Sequence, residues 1–125
     1  MSIFKQQTGR IGEDAAEAAL KRDGYKILAK NFRCPFGEVD IIARDKKAIC
    51  FIEVKARRSD HCGSPAEAVS RAKQEKIIKT AFFYLNKYKL DNYEVRFDVV
   101  SVRLKAAGIF QEVEIIKNAF EAGNF

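Results

Sequence analysis

The stretch from Gly37 to Arg57 reads GEVDIIARDKKAICFIEVKAR, and it limits the fold more than any other part of the chain. Two apolar runs flank a polar break at Asp45, Lys46 and Lys47, the pattern of two antiparallel strands joined by a short turn. Asp40, Glu53 and Lys55 interrupt strands otherwise built from Val39, Ile41, Ile42, Ile49, Phe51, Ile52 and Val54. Charge placed near such a core costs several kcal/mol unless a partner or a metal compensates it. These three charges therefore need a reason.

Register decides whether they can share one. Side chains alternate along a strand, so Glu53 and Lys55 lie on one face. A turn over Asp45 to Ala48 that pairs Arg44 with Ile49 sets Asp40 opposite Glu53, whereas a three-residue turn puts them on opposite faces. The shared face is the expectation. Two carboxylates and an ammonium gathered there suit a hard cation, Mg²⁺ or Mn²⁺, next to a phosphate, with the metal activating water against a phosphodiester.

The spacing of Asp40 to Glu53-Val54-Lys55 resembles the bipartite motif of the PD-(D/E)XK nucleases. The ordered segments GRIGEDAAEAAL, GYKILAKNFR, GEVDIIARD, FIEVKAR, AKQ and RFDVV resemble the YraN-like predicted endonucleases of that superfamily and cover most of the chain. Val39 stands where the motif name has proline, a residue that carries none of the chemistry. The resemblance implies a restriction-endonuclease-like α/β fold, a mixed sheet with a central antiparallel hairpin and flanking helices. It also implies a metal-dependent endonuclease, directed to DNA, branched DNA included, rather than RNA. Asp40 and Glu53, with the Val54 carbonyl, would hold Mg²⁺ or Mn²⁺, and Lys55 would position the attacking water or stabilise the developing charge. Two rivals stand beside it: a nucleic-acid-binding module that keeps the fold without turnover, and a protein whose basic surface meets an acidic partner. A homodimer is left open, since cutting both strands of a duplex would require one.

Three further side chains are candidates for support. Glu13 borders a stripe of small residues, Gly12, Ala15, Ala16, Ala19 and Leu20, on a helix expected from Thr8 to Asp23 with Gly24 as its stop. Its carboxylate could reach Asp40, resembling an N-terminal glutamate of the family, or could be a solvated first-turn acid favoured by the helix dipole. Glu38 shares the face of Asp40 by strand alternation, or faces solvent at the strand's start. Gln74 opens the apolar stripe Ile77, Ile78, Ala81, Phe82 and Leu85 of a second helix, expected to start at the capping box Ser64 to Glu67, pause at Ser70 and run to Asn86. The pair Lys73-Gln74 resembles a supplementary motif of the family, while an amide bonded to nearby backbone is the plainer reading.

At 125 residues the chain suits one domain with one core. No segment approaches the roughly 20 apolar residues of a membrane span, and the start MSIFKQQTGR lacks the apolar stretch of a secretion signal, so a cytoplasmic protein is expected. The formal charge of +6 favours polyanionic partners. Lys73, Lys76, Lys79 and Lys87 with Arg71, and Arg57 and Arg58 after the hairpin, offer a sequence-independent footprint or a merely solvated surface. A zinc site from Cys34, His61 and Cys62 would lack a fourth ligand, so reduced thiols are expected. The remaining expected elements are a strand at Tyr25 to Phe32 edging the hairpin, a strand at Glu94 to Leu104 with Asp98 structural, a last strand at Val113 to Ile116, and a helical turn from Asn118.

Overall fold

The computed structural model describes residues 3–58, 69–105 and 110–124. Helix α1 (Ile3–Arg22) leads into β1 (Lys26–Cys34), β2 (Gly37–Asp45) and β3 (Ala48–Arg58); helix α2 (Arg71–Lys87), β4 (Glu94–Lys105) and β5 (Phe110–Phe120) follow. A short 3₁₀ turn at Ala122–Asn124 ends the described chain. The five strands form one sheet in sequence order. Pairing is antiparallel except between β3 and β4, where α2 carries the chain back to start a parallel neighbour. The chain is thus a mixed α/β protein, and β3 is the sheet's middle strand.

The hairpin has the expected register. Arg44 pairs with Ile49, and Asp45 pairs with Ala48 across a turn of Lys46 and Lys47. Lys46 at φ 55° supplies the left-handed conformation that so tight a turn requires. Strand β1 edges this hairpin on β2, joined by the turn at Pro35 and Phe36.

Each face of the sheet carries a helix. On one side Ala16 and Leu20 of α1 pack with Ile41, Cys50, Ile52, Val100 and Val102. On the other, Ile77, Ile78, Ala81, Tyr84 and Leu85 of α2 pack with Ile42, Ile49, Phe51, Phe97 and Val99. The small-residue stripe of α1 does bring that helix close: a Cβ built on Gly12 would lie 2.6 Å from the Ala56 Cβ of β3.

Several boundaries differ from expectation for identifiable reasons. Helix α1 runs through Thr8 and begins at Ile3, so Thr8 is not its cap. Its end is at the expected glycine: Gly24, at φ 94°, and Tyr25 donate to the carbonyls of Lys21 and Leu20 at 3.1 and 2.9 Å. The Ser64 to Glu67 box and the turn at Ala106 to Gly108 lie outside the described residues. Helix α2 is capped instead by Ser70, whose hydroxyl accepts the Lys73 N–H at 3.1 Å. Its buried face is rotated from the expected stripe, because Phe82 is exposed while Thr80 and Tyr84 are buried. The Thr80 hydroxyl tolerates that burial by donating to the Lys76 carbonyl at 2.8 Å. Strand β5 extends to Phe120 and absorbs residues expected as a helical turn. No helix among the described residues is long and apolar enough to cross a membrane.

Candidate functional site

The β2–β3 ladder is recorded from Asp45 and Ala48 down to Ile41 and Ile52. Its continuation would set Asp40 against Glu53, but at that point the strands change character. Ile41 packs on the α1 side, yet Val39 belongs to the α2 side, so strict alternation fails around Asp40. Strand β1 makes the same switch: Lys30 reaches Glu17 of α1, Phe32 packs towards α2, and Asn31 between them sits at φ 53°. Both strands kink together.

At the kink the Asp40 side chain does the work of a backbone acceptor. Its Oδ2 takes the Val54 N–H at 2.8 Å, bridging the position where the ladder leaves off. One residue's N–H and C=O point to the same side of an extended strand, so the Val54 carbonyl is directed into the region Asp40 borders. Asp40 nevertheless lies near enough to Glu53, past the last paired residues Ile41 and Ile52, for its charge to raise the Glu53 carboxyl. Glu38, expected either on the face of Asp40 or in solvent, stands close enough for its charge to raise Asp40, Glu53 and Glu13.

Glu53 is buried, at 6% exposure. Its Oε1 lies 3.9 Å from two ammonium groups, Lys55 of its own strand and Lys73 from the first turn of α2. Neither separation is a direct hydrogen bond. Burial, followed by the charge of Asp40, pushes the Glu53 carboxyl up to about 7 against the pull of Lys73 and Lys55. Asp40 is raised as well, chiefly by burial, with the Val54 N–H and Lys73 opposing. Burial is the main cause of both shifts, and the charge of Asp40 adds to it at Glu53.

Glu13 is half-buried, and its carboxyl is raised by burial and then by Asp40 and Glu38, so it belongs to the same electrostatic neighbourhood. Because α1 starts at Ile3, Glu13 sits in the body of the helix, and the first-turn explanation for an acid there no longer applies. Glu38 is tied at 2.8 Å to Arg33, its cross-strand partner on β1. Gln74 follows the plainer reading: its Nε2 donates to the Val69 carbonyl at 3.0 Å. Lys73, read from the sequence among the helix lysines and, with Gln74, as resembling a supplementary motif of the family, stands 3.9 Å from Glu53. The signal available for it was a lysine three residues after a serine cap, a position where acids are the usual choice.

Among the described residues no group of three or more His, Cys, Asp or Glu stands close enough to hold a metal on its own. Of the proposed zinc ligands, Cys34 donates its thiol to Thr80 at 3.7 Å, and His61 and Cys62 lie outside the described residues.

Comparison with known proteins gives this arrangement a family. The chain is 53% identical to a UPF0102 protein of Syntrophus aciditrophicus, over 92% of this chain and 89% of the relative. It is 48% identical to one of Desulfosudis oleivorans, over 94% and 93%, and 47% identical to one of Clostridium acetobutylicum, over 97% and 99%. The pattern of the uncharacterised protein family UPF0102 matches residues 12–102. That span runs from the close approach of α1 to the end of the β4 core and contains Glu13, Asp40, Glu53, Lys55 and Lys73, so this chain belongs to the UPF0102 family.

Proposed function

We propose that the protein is a metal-dependent nuclease of the PD-(D/E)XK superfamily, with the restriction-endonuclease-like version of its α/β fold, that hydrolyses nucleic-acid phosphodiesters. The observation that carries this reading is the half-buried Asp40 and the buried Glu53 at the kinked end of the hairpin, with Lys55 beside Glu53. Their mutual repulsion fits a divalent cation, which would relieve it. Mg²⁺ suits so small a donor set, since it commonly takes one or two carboxylates and keeps waters and substrate phosphate oxygens as its other ligands. Asp40, Glu53 and the Val54 carbonyl are the groups that would hold Mg²⁺ or Mn²⁺. When bound, such an ion supplies a water of lowered pKa and charge compensation at a phosphoryl oxygen.

The chain's own residues then have separate tasks. The Val54 N–H fixes the Asp40 carboxylate in place, leaving its other oxygen for a ligand. Glu53 is confined by burial, which keeps bulk water from screening its charge. Lys55, on the same face two residues on, can hold the attacking water or donate to the phosphorane oxygens as negative charge builds there. The formal charge of +6 supports a polyanionic substrate, with DNA favoured on the superfamily's preference.

The test incubates purified protein with single-stranded, duplex and branched DNA and with RNA, in Mg²⁺, in Mn²⁺ and in chelator. Cleavage lost both in chelator and in Lys55→Ala is the expected result. Absence of cleavage on every substrate, with binding retained, would move the assignment to a non-catalytic nucleic-acid-binding module.

A further inference from the structure

Cys34 pairs directly with Gly37, so the turn between β1 and β2 has Pro35 and Phe36 as its tip. Turn tips favour small and polar residues. Phe36 is instead a large aromatic side chain left 51% exposed. Its ring meets Phe83 of α2 near edge-on, at 6.2 Å and 66°, and Phe83 in turn leans on Phe32 of β1 at 6.2 Å. The backbone beside it is held to the same helix. A Cβ on Gly37 would lie 3.4 Å from both the Lys76 Cβ and the Thr80 hydroxyl oxygen, and the Cys34 thiol donates to Thr80 at 3.7 Å. The ring is thus braced by α2 while half of its surface stays in solvent.

Helix α2 links this tip to the carboxylates. Lys73 stands at Glu53, Lys76 borders Gly37, and Phe83 meets Phe36. Phe36 precedes Asp40 by four residues, about 13 Å of extended strand at most. Beside the turn, Glu38 is paired with Arg33 at 2.8 Å and Glu75 with Lys79 at 3.2 Å, while Asp40, Glu53 and Glu13 belong to the site. Lys76 is exposed, and no acid among the described residues is ion-paired with it. An aromatic face with a cation next to it is what single-strand-binding surfaces combine, the ring for a base and the cation for its phosphate.

We propose that Phe36 is a stacking platform for an unpaired nucleobase of the substrate, with Lys76 contacting the phosphate chain that leads from it towards Asp40 and Glu53. This rests on the nuclease reading. Stacked bases advance about 3.4 Å each, so the platform meets a base a few nucleotides from the bond to be cut. Bases inside a duplex have both faces covered, whereas single strands, loops and flaps can offer one free. The substrate class is therefore nucleic acid with unpaired bases next to the scissile bond.

The chain contains no tryptophan, so Phe36→Trp places a lone indole at the platform. Its fluorescence is followed, in Ca²⁺ and in chelator, on titration with single-stranded DNA, single-stranded RNA and the DNA duplex of the same sequence. Anisotropy of the labelled strands gives affinities for wild type, Phe36→Ala, Lys76→Gln and Phe82→Ala. Phe82 is the control, 53% exposed on the same helix but lining a separate cavity with Leu90 and Tyr93. The single strand should quench the indole and the duplex should not. Phe36→Ala should bind the single strand roughly tenfold more weakly and the duplex within about twofold of wild type, with Phe82→Ala within about twofold on both. Lys76→Gln should lower the salt dependence of single-strand binding by about one ion, and an unchanged slope removes Lys76 from the strand's path. Should Phe36→Ala fold poorly, quenching in Phe36→Trp decides alone. An indole left unquenched by a bound single strand, or an equal loss on single strand and duplex in Phe36→Ala, overturns the platform and leaves the nuclease reading standing. Wild type that binds none of the nucleic acids removes both.

Discussion

The sheet buries carboxylates near both of its ends, and the two ends treat them in opposite ways. Near the start of β4, Asp98 is fully buried and fully engaged. Arg96 donates to it from Nε at 2.9 Å and from Nη2 at 3.0 Å, the Tyr25 hydroxyl at 2.9 Å, and the Asn118 N–H at 2.9 Å. Arg96 also reaches Asp45 at 2.8 Å. The consequences are structural: Asn118, at φ 55°, marks an irregularity in the β4–β5 register, and the Asp98 carboxylate takes the N–H that the ladder leaves over. At the hairpin's kinked end, Glu53 has two ammonium groups at 3.9 Å and a like-charged neighbour. The contrast teaches that burial of an acid is not by itself a sign of function. What separates the two ends, among the described residues, is direct hydrogen bonding at Asp98 against ammonium groups held at 3.9 Å from Glu53.

The sharpest break in that comparison is at the satisfied end. Asp98→Ala should cost about 3 kcal/mol in urea denaturation, because it strands part of a buried ion-pair network. Loss below about 1 kcal/mol would mean that the network is not holding β4 to β5 and to Tyr25.

Next comes the pH dependence at Glu53. Burial and Asp40 raise Glu53 to about 7, above the ~4.3 of an unfolded glutamate. Between those values the folded state binds the additional proton, so stability must fall as pH rises, with the loss absent below about 4 and complete above 7. The wild type minus Glu53→Gln difference in unfolding free energy should therefore slope downward by about 4 kcal/mol at most across that window. A flat or rising difference would remove Glu53 from the strained pair.

A smaller effect is expected at Gly12. Its replacement by alanine puts a methyl group 2.6 Å from the Ala56 Cβ and must push α1 off β3, beside Glu13. A cost of about 2 kcal/mol follows from overpacking, and Ala56→Gly in the same chain should recover most of it. The smallest effect is Arg33→Ala, which opens the exposed pair with Glu38. It should change thermal stability by less than about 0.5 kcal/mol, and a larger change would assign Glu38 a part that its geometry does not give it.

How much of this was legible in the sequence depends on which physics set each feature. The hairpin register follows from apolar alternation and a two-lysine turn, and it was readable. So was the helix stop at Gly24, because a left-handed residue leaves few alternatives. The structural part of Asp98 was legible as an acid among strand apolars near arginine. The kink at Asn31 and Asp40 was not, since a residue's sign of φ leaves no periodic trace unless glycine fills the position. Phe82 misled because hydrophobicity marked it as core, while the helix orientation is set by Ile77, Ala81 and Tyr84, whose ring packs edge-on against Phe51. Lys73 was legible only through the Lys73-Gln74 pair, because its approach to Glu53 joins α2 to β3 across a long stretch of sequence and leaves no periodic trace.

The central claim is that Asp40 and Glu53 together bind one divalent cation. It is tested most directly by calorimetric titration of Mn²⁺ into wild type and Asp40→Asn at about pH 6, in two buffers of different ionisation heat. The account predicts one site in the wild type, release of most of a proton as Glu53 ionises on binding, and loss of the site in Asp40→Asn. Binding that survives Asp40→Asn unchanged, or that releases no proton, would contradict it.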